Sequence, residues 1–303
     1  MSEQINEQMS EDNCVCGEKA IYFRRHEGRY YCKSCLCRSV EKNFRKTASK
    51  FIEHGDRIAI AFSGGKDSAV LLYLMHKFFA ARAEIFALTI DEGIAGYRDE
   101  SIDIARDFID KLGIEHHIAS FKEEFNVRID DIKTEKYCTY CGVFRRDLLN
   151  KAAQRFGATK IAIGHNLDDE AQSVIMNFFK GDAGKFSRLG ESSESNLFIQ
   201  RIKPLRDISQ KEIMLYAMIN NIPFYDGECP HSFNNMRRDV QTMIDNLEEK
   251  YPGSKLQVIR FYDKLKSGKA ENKTEINYCK ICGAVSSQAI CKSCELLEKA
   301  KSL

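Results

Sequence analysis

The sequence lacks any apolar run that approaches the ~20 residues a membrane-spanning helix needs. Residues 1–13 are polar and acidic and lack the apolar core of a signal peptide, so we expect them to form a disordered tail. Both absences favour a cytoplasmic protein without a membrane partner. In that reducing compartment, the twelve cysteines favour metal or sulfur chemistry over a disulfide framework.

The sequence also has little net charge, +2 over 303 residues, but the charge is unevenly distributed. Residues 18–50 carry ten Lys or Arg against three acidic residues, and residues 250–303 carry eleven against five. Basic ends around an acidic centre favour a large polyanionic partner held at the periphery. Ordinary solvated surface charge explains the same pattern equally well.

The central sequence alternates apolar strands with amphipathic helices, which predicts an α/β fold whose parallel sheet is covered by helices on both faces. The predicted strands cover 57–62, 84–90, 114–119, 160–163 and, at an edge, 201–206. The predicted helices cover 39–54, 67–79, 98–111, 141–156, 168–179 and 209–220. A long loop rich in glycine and serine is predicted at 181–198.

A glycine pair stands where the first predicted strand meets its helix. The motif consists of Ser63, Gly64, Gly65, Lys66, Asp67 and Ser68. Glycine has no Cβ, so the backbone can approach a ligand closely, and the amides that begin a helix attract an anion. The serine hydroxyls and the Lys66 ammonium add donors. The motif therefore predicts a phosphate site that is not a Walker A loop, and the simpler alternative is a glycine-rich turn with a serine cap.

Four cysteines near the C-terminus have the spacing of a zinc site. They form two Cys-x2-Cys pairs, Cys279 with Cys282 and Cys291 with Cys294. Four thiolates suit tetrahedral zinc, and so short a segment cannot build its own apolar core, so we expect the metal to supply its folding energy.

The N-terminal cysteines are less regular. We predict a second zinc site on Cys14, Cys16, Cys32 and Cys35. Its first pair is Cys-x-Cys, which is tighter than the usual spacing, and Cys37 could replace one ligand. These sites predict an N-terminal zinc module with a basic helix at 14–54, a catalytic domain at 55–250, and a basic segment with a C-terminal zinc module at 251–303.

The remaining three cysteines are Cys138, Cys141 and Cys229. An odd number of thiols suggests an open metal site, such as a [4Fe–4S] cluster with three cysteine ligands and one iron free to bind sulfide. A persulfide relay that ends in a disulfide is an alternative. Ordinary buried thiols are the third interpretation.

The motifs together resemble a known family. In order, they are the N-terminal cysteine knuckle, SGGKDS, CTYCG at 138–142, GHNLDDEAQ at 164–172, RIKPLR at 201–206, ECPHS at 228–232 and the C-terminal double knuckle. They resemble the tRNA 2-thiouridine synthetases of the TtcA/TtuA class, within the PP-loop ATP pyrophosphatases. The two knuckles narrow the resemblance to the TtuA branch and the archaeal and eukaryotic wobble-uridine thiolases NcsA and Ctu. The resemblance implies a Rossmann-like adenine nucleotide α-hydrolase domain, often dimeric, so we expect a homodimer.

The resemblance also implies residue roles. Residues 63–68 would bind the phosphates of ATP with Mg²⁺, backbone around Leu88, Ile90 and Gly164 would hold the adenosine, and Cys138, Cys141 and Cys229 would bind the cluster. Asp169, or else Asp168, would act in catalysis, although helix capping explains both carboxylates as well. Some relatives carry Lys at the position of Arg145. Arginine keeps the positive charge but does not titrate as an amine does, so we expect Arg145 to act in catalysis only through its charge. Lys66 would also act in catalysis, by offsetting the charge of the phosphates.

The implied reaction thiolates a uridine of tRNA. The C2 oxygen attacks the α-phosphorus of ATP and releases pyrophosphate, then sulfur held on the free iron attacks C2 and AMP leaves. Unstacking a base costs less in a single-stranded loop, which favours wobble uridine 34 over uridine 54 of the T-loop. The sulfur donor would be a ubiquitin-like thiocarboxylate protein or free sulfide. A PP-loop ligase acting on another substrate and a non-catalytic RNA-binding protein are the rival hypotheses.

Overall fold

The computed structural model describes residues 13–181, 183–184, 199–231, 236–267 and 277–301. The predicted N-terminal tail, apart from Asn13, lies outside these residues, and so do residues 182 and 185–198 of the predicted loop. Within the described ranges, no helix is both long and apolar enough to cross a bilayer.

The strands form one central sheet and two small hairpins. In chain order, they are β1 (Tyr22–Arg24), β2 (Arg29–Tyr31), β3 (Arg57–Ala61), β4 (Glu84–Asp91), β5 (Glu115–Ser120), β6 (Lys160–Ile163), β7 (Gln200–Ile202), β8 (Asn277–Tyr278) and β9 (Val285–Ser286). The central sheet has the order β5-β4-β3-β6-β7, and all of its pairs are parallel. The predicted parallel sheet is confirmed. The pairs β1-β2 and β8-β9 are antiparallel.

Helices cover both faces of the sheet. In chain order, they are α1 (Lys33–Ala48), α2 (Lys66–Phe79), α3 (Arg98–Leu112), α4 (Phe121–Phe125), α5 (Tyr137–Arg155), α6 (Leu167–Phe179), α7 (Gln210–Ile219), α8 (Met236–Lys250), α9 (Ser254–Ser267) and α10 (Lys292–Lys301).

Side chains alternate between the two faces of each strand, so the sheet separates two apolar clusters. In β3, Ile58 and Ile60 pack into the first cluster with α1, α2 and α7, whereas Ala59 packs into the second. The second cluster contains Phe86 and Leu88 of β4, Phe144 of α5 and other buried side chains of this face. The buried faces of the strands explain why the central strands were recognisable as apolar runs.

The sheet reverses its strand order between β3 and β6. From β3 the chain moves outward to β4 and β5, then returns to place β6 and β7 on the other side. In an open parallel sheet, ligands bind beyond the carboxyl ends of the strands at such a reversal. Residues 63–68 follow β3, and Gly164 follows β6, so both lie at this point.

Two helices predicted from the sequence have wrong boundaries. The helix predicted at 39–54 is α1, which begins at Lys33 because Cys32 is its N-cap and its sulfur accepts a hydrogen bond from the Cys35 amide at 3.5 Å. This helix also ends earlier than predicted, at Ala48, with Ser49 as its C-cap. The helix predicted from 141 is α5, which begins at Tyr137, so Cys138 and Cys141 lie in its first turns. Sulfur caps and cysteine-rich first turns carry no apolar periodicity, which is the signal that the predictions used.

The predicted edge strand at 201–206 is also shorter, because β7 ends at Ile202 and a turn closed by the Arg206 amide on the Lys203 carbonyl follows. The helix predicted at 209–220 is confirmed as α7. Ser209 and Glu212 form a capping box at its start.

Candidate active site

The glycine pair forms the turn from β3 to α2. Gly64 has φ +83°, and a Cβ there would lie 2.8 Å from the Ser101 carbonyl oxygen, so glycine alone fits. Gly65 is the N-cap of α2 and has no side chain to bond the first amides of the helix. The Ser68 hydroxyl lies 3.2 Å from the Ser63 hydroxyl and donates to the Gly65 carbonyl at 2.8 Å. This turn, residues 63–68, presents amides and hydroxyls suited to phosphate oxygens, and we call it the phosphate turn.

A chain of hydrogen bonds joins this turn to the loop after β6. Lys66 donates to one carboxylate oxygen of Asp67 at 2.8 Å, and Asn166 Nδ2 donates to the other at 2.9 Å. Asn166 caps α6 and forms a capping box with Asp169. A Cβ at Gly164 would lie 3.2 Å from the Asp67 carbonyl carbon, so this glycine permits the close approach of the two loops.

The predicted adenosine contacts lie at the same edge of the sheet. Leu88 is fully buried in β4, and its carbonyl accepts the Phe62 amide at 2.9 Å within the sheet. Ile90 lies two residues further along β4, beyond the end of β3. The backbone near Ile90 and Gly164 therefore flanks the phosphate turn.

The two candidate aspartates have different surroundings. Asp168 accepts the Gln210 amide at 2.8 Å and forms an ion pair with Lys255 of α9, so its carboxylate ties α6 to α7 and α9. Asp169 is about a third exposed, caps α6 with Asn166, and lies 3.5 Å from Arg237. Through Asn166, only Asp169 of these two connects to the phosphate turn.

Glu92, a buried carboxylate beside this site, was not predicted as a site residue from the sequence. Glu92 follows β4, is 1% exposed, and forms an ion pair with Arg98, which is 3% exposed. Arg98 also donates to the Ser63 carbonyl at 3.0 Å, and Arg145 lies 3.6 Å from Glu92. Glu92 therefore connects the phosphate turn to α5, close to Cys141. The sequence feature that could have identified Glu92 is its position in the acidic pair Asp91-Glu92 at the end of a predicted strand.

Lys203 and Glu170 form a second buried ion pair, next to the loop after β6. Lys203 donates to Glu170 at 2.6 Å, and His165 Nδ1 lies 3.6 Å from the same carboxylate. Burial opposes the charge on Glu170, but the hydrogen bonds from His165 and Lys203 outweigh it and lower the pKa of Glu170 to about 2. This pair fixes the RIKPLR segment against α6.

The structure brings Cys138, Cys141 and Cys229, the cysteine trio, to one place. Cys138 Sγ lies 3.6 Å from the carbonyl oxygen of His231, two residues after Cys229. Cys141 and Cys229 both pack against the second apolar cluster, while Cys138 is exposed. Burial raises the pKa of Cys141 to about 11, and nearby Cys229 adds to the rise while Arg145 opposes it.

The donor set of the trio fits a cluster with an open iron. Cys138 and Cys141 lie in the first turns of α5, and Cys229 interacts electrostatically with both of them. Three cysteine ligands would leave one iron of a four-iron cluster without a cysteine. Arg145 supplies positive charge beside Cys141. His231 lies beside the trio. Its Nε2 is 2.7 Å from an Asp130 carboxylate oxygen, and its ring stacks on that of Tyr137 with the centroids 4.2 Å apart.

The terminal cysteines form two groups that fit zinc. Within each group of four, the sulfurs all lie within 4.8 Å of one another. Zn–S bonds of about 2.3 Å in a tetrahedron place sulfurs about 3.8 Å apart. The Cys16–Cys32 and Cys282–Cys291 sulfur distances are 3.5 and 3.6 Å. The groups are Cys14, Cys16, Cys32 and Cys35, and Cys279, Cys282, Cys291 and Cys294.

Backbone amides favour a thiolate in both groups. The amides of Cys16 and Cys32 lower the pKa of Cys14 to about 6, and the amides of Cys291 and Cys282 lower the pKa of Cys279 to about 6. A thiolate is the form that binds metal. Cys37 lies outside the N-terminal group, where Asn220 Nδ2 approaches its sulfur at 3.6 Å.

Two cavities lie away from the phosphate turn. One, of about 400 Å³, lies on the N-terminal module beside Arg29 and Lys42. The other, of about 320 Å³, lies between Arg146, Arg201 and the C-terminal hairpin at Val285. Neither of these two cavities is lined by residues 63–68 or by the cysteine trio.

Comparisons with known proteins agree with this geometry. The family described as PP-loop domain matches residues 36–246. The tRNA 2-thiolation protein NcsA of Haloferax volcanii is 36% identical, over 93% of this chain and 97% of its own. Cytoplasmic tRNA 2-thiolation protein 1 of Chlamydomonas reinhardtii is 36% identical, over 92% of this chain and 82% of its own. The chain belongs to the tRNA 2-thiolation protein family.

A solved structure of the family has the same fold. The U34-tRNA thiolase NcsA from Methanococcus maripaludis, described with its [4Fe–4S] cluster, superposes with a TM-score of 0.87 at 36% identity, covering 96% of this chain and 97% of that one. The predicted family, the PP-loop α/β fold and the enzyme class are confirmed. The domain boundaries and the individual site residues stay predictions.

Proposed function

We propose that this protein is the ATP-dependent tRNA sulfurtransferase that forms 2-thiouridine at wobble position 34. One observation carries the proposal: the phosphate turn and the cysteine trio open onto the same edge of the sheet, linked through Ser63, Arg98, Glu92 and Arg145. The description of the M. maripaludis relative as a U34-tRNA thiolase supports position 34 over 54.

The first step is adenylation of the base. The C2 oxygen of the uridine attacks the α-phosphorus of ATP, a P–O bond forms, and the bond to the β-phosphate breaks to release pyrophosphate. The amides at the start of α2, the two serine hydroxyls and Lys66 stabilise the charge on the phosphates. Asp169 would hold Mg²⁺, which would offset the negative charge of the phosphates, because carboxylate oxygen is its preferred protein ligand.

The second step replaces the adenylated oxygen with sulfur. Sulfur forms a bond to C2 and the C2–O bond breaks, so AMP leaves with the former base oxygen. Cys138, Cys141 and Cys229 would hold the [4Fe–4S] cluster, which supplies an iron without a cysteine ligand where a sulfur atom can bind. Arg145 stays charged throughout and offsets negative charge between the trio and the phosphates. We propose a structural rather than a catalytic role for Asp168, because its carboxylate pairs with Lys255 and accepts a hydrogen bond from the Gln210 amide.

The terminal modules are proposed to hold the tRNA. We propose one Zn²⁺ in each four-cysteine group, with residues 14–54 and 251–303 as modules on the catalytic domain at 55–250. Their excess of Lys and Arg fits phosphodiester contacts, so tRNA affinity should fall as salt rises. We also propose a homodimer in the cytoplasm, the compartment named for the Chlamydomonas relative, with a ubiquitin-like thiocarboxylate protein or free sulfide as the sulfur donor.

Anaerobic assay of the purified holoprotein tests this function. Unmodified tRNA is incubated with ATP, Mg²⁺ and sulfide, and its nucleosides are mapped by mass spectrometry. We expect an oxygen-to-sulfur exchange at uridine 34 that is lost in Cys229→Ala. Thiouridine at position 54 would overturn the assigned position, and no thiouridine from protein that contains iron and binds tRNA would overturn the function.

A further inference from the structure

The proposed reaction constrains where the uracil can lie. Its C2 and O2 must face the α-phosphate during adenylation and the cysteine trio during sulfur transfer. Proteins commonly hold an unstacked RNA base against the face of an aromatic side chain. Two half-buried tyrosines lie next to these sites: the Tyr225 amide bonds the Gly64 carbonyl, and Tyr97 interacts electrostatically with Cys229.

The backbone places Tyr225 directly on the phosphate turn. Its amide donates to the Gly64 carbonyl at 2.9 Å. Its ring lies against Gly227, where a Cβ would overlap the ring atoms, and Cys229 follows two residues later. One short segment therefore runs from the phosphate turn, past the Tyr225 ring, to the cysteine trio.

Tyr97 packs its ring against that of Tyr225. It precedes α3, and its ring meets Tyr225 edge to face, with centroids 5.7 Å apart and planes at 67°. The Arg98 guanidinium lies 5.4 Å from the Tyr97 ring, and Arg98 is the residue that bonds Ser63. Tyr97 packs on the second apolar cluster, as Cys141 and Cys229 do.

We propose that Tyr97 and Tyr225 form a stacking platform for the target uracil, an inference that rests on the proposed function. An edge-to-face pair offers the face of one ring and the edge of the other, which makes a corner for a planar base. Stacking there places the pyrimidine between the phosphate turn and the trio, so the same bound base can react first with ATP and then with the sulfur donor.

The absence of tryptophan from the chain allows a direct test. Tyr97→Trp introduces a single indole at the proposed platform, and Phe178→Trp places a single indole on an exposed aromatic residue at the C-terminal end of α6, 68% accessible. The probes are anticodon stem-loop RNAs with uracil or an abasic residue at position 34. We expect the fluorescence change of the Tyr97→Trp protein to be about twofold larger with the uracil RNA, whereas the Phe178→Trp protein responds equally to both.

Steady-state kinetics give an independent measurement. Tyr97→Ala and Tyr225→Ala should lower kcat/KM for the RNA by about 10-fold to 100-fold, mainly through KM, with cluster absorbance and iron content as in the wild type. Tyr97→Phe keeps the ring and should recover most of this loss, and Phe178→Ala should behave as wild type.

Each outcome has one meaning. Equal fluorescence responses of the Tyr97→Trp protein to both RNAs, with kcat/KM retained in both alanine variants of a thiolating enzyme, would overturn the platform and leave the function standing. Failure of the wild-type holoprotein itself to form thiouridine would overturn both. A uracil-dependent response with recovery by Tyr97→Phe would support the platform.

Discussion

Asn166 donates a hydrogen bond from Nδ2 to Asp67 Oδ1 at 2.9 Å, which joins the two loops on either side of the strand-order reversal. The same side chain caps α6 through the Asp169 amide at 3.0 Å. Because Asp67 also bonds Lys66, Asn166 is expected to fix the phosphate turn as well as the helix that carries Asp169.

Substitution of Asn166 should therefore reduce ATP binding more than stability. We expect Asn166→Ala to lose about 1 kcal/mol of unfolding free energy through the cap, and to weaken ATP affinity by about 10-fold through displacement of Asp67 and Lys66. Equilibrium denaturation and ATP titration measure the two effects.

Ser209→Ala is the matched control, because Ser209 forms the same kind of capping box on α7. It should lose a similar free energy of unfolding and keep its ATP affinity. Equal ATP affinity in both variants would show that the bond to Asp67 is unimportant for the nucleotide.

The two neighbouring aspartates should separate stability from catalysis. Asp168→Asn leaves Lys255 and the Gln210 amide with a weaker partner, so we expect a loss of about 1–3 kcal/mol in stability and little change in kcat. Asp169→Asn should keep the unfolding midpoint and lower kcat by at least about 10-fold. The reverse pattern would exchange the assigned roles.

Glu170 should make the fold sensitive to acid. Its folded-state pKa is about 2, below the ordinary value of 4.5, so its stabilising contribution is fully present above pH 4.5 and is lost as pH falls toward 2. The contribution at neutral pH is about 3 kcal/mol by linkage. Glu170→Gln should be less stable at pH 7 and show a flatter stability profile between about pH 5 and 2.

Glu295 provides the comparison for this measurement. Hydrogen bonds from Lys292 and Lys299 lower its pKa to about 2 as well, but it lies on the surface of α10. Since solvent and salt screen exposed pairs, Glu295→Gln should leave the acid profile nearly unchanged. Identical profiles for the two variants would contradict a special role for burial of the Glu170–Lys203 pair.

Metal analysis should find two zinc ions for each chain. Cys16→Ser and Cys291→Ser should each lose one zinc and weaken tRNA binding, because the affected module depends on its metal for folding. Cys37→Ser should keep both, since Cys37 lies outside the N-terminal group. A chain with two zinc ions after Cys291→Ser would contradict the C-terminal assignment.

The sequence predicted the central sheet well because buried parallel strands and amphipathic helices leave clear periodic signals. It also predicted the phosphate turn, where Gly64 is required by a positive φ and by the Ser101 carbonyl. Sulfur capping by Cys32 and the early start of α5 were missed, since neither leaves an apolar period.

Contacts between distant segments could not be predicted from spacing. The Tyr225 amide reaches Gly64 from a remote part of the sequence, and Glu92 is buried between arginines of α3 and α5. Such contacts depend on how loops meet at one edge of the sheet, and no local pattern encodes that meeting.

Isotope transfer tests the central claim most directly. A tRNA whose wobble uridine carries ¹⁸O at O2 is converted by the holoprotein with ATP, Mg²⁺ and a sulfur donor, and the AMP is analysed by mass spectrometry. Adenylation of O2 predicts one ¹⁸O in the phosphate of AMP for each 2-thiouridine formed. Thiouridine accompanied by AMP without ¹⁸O would contradict the account.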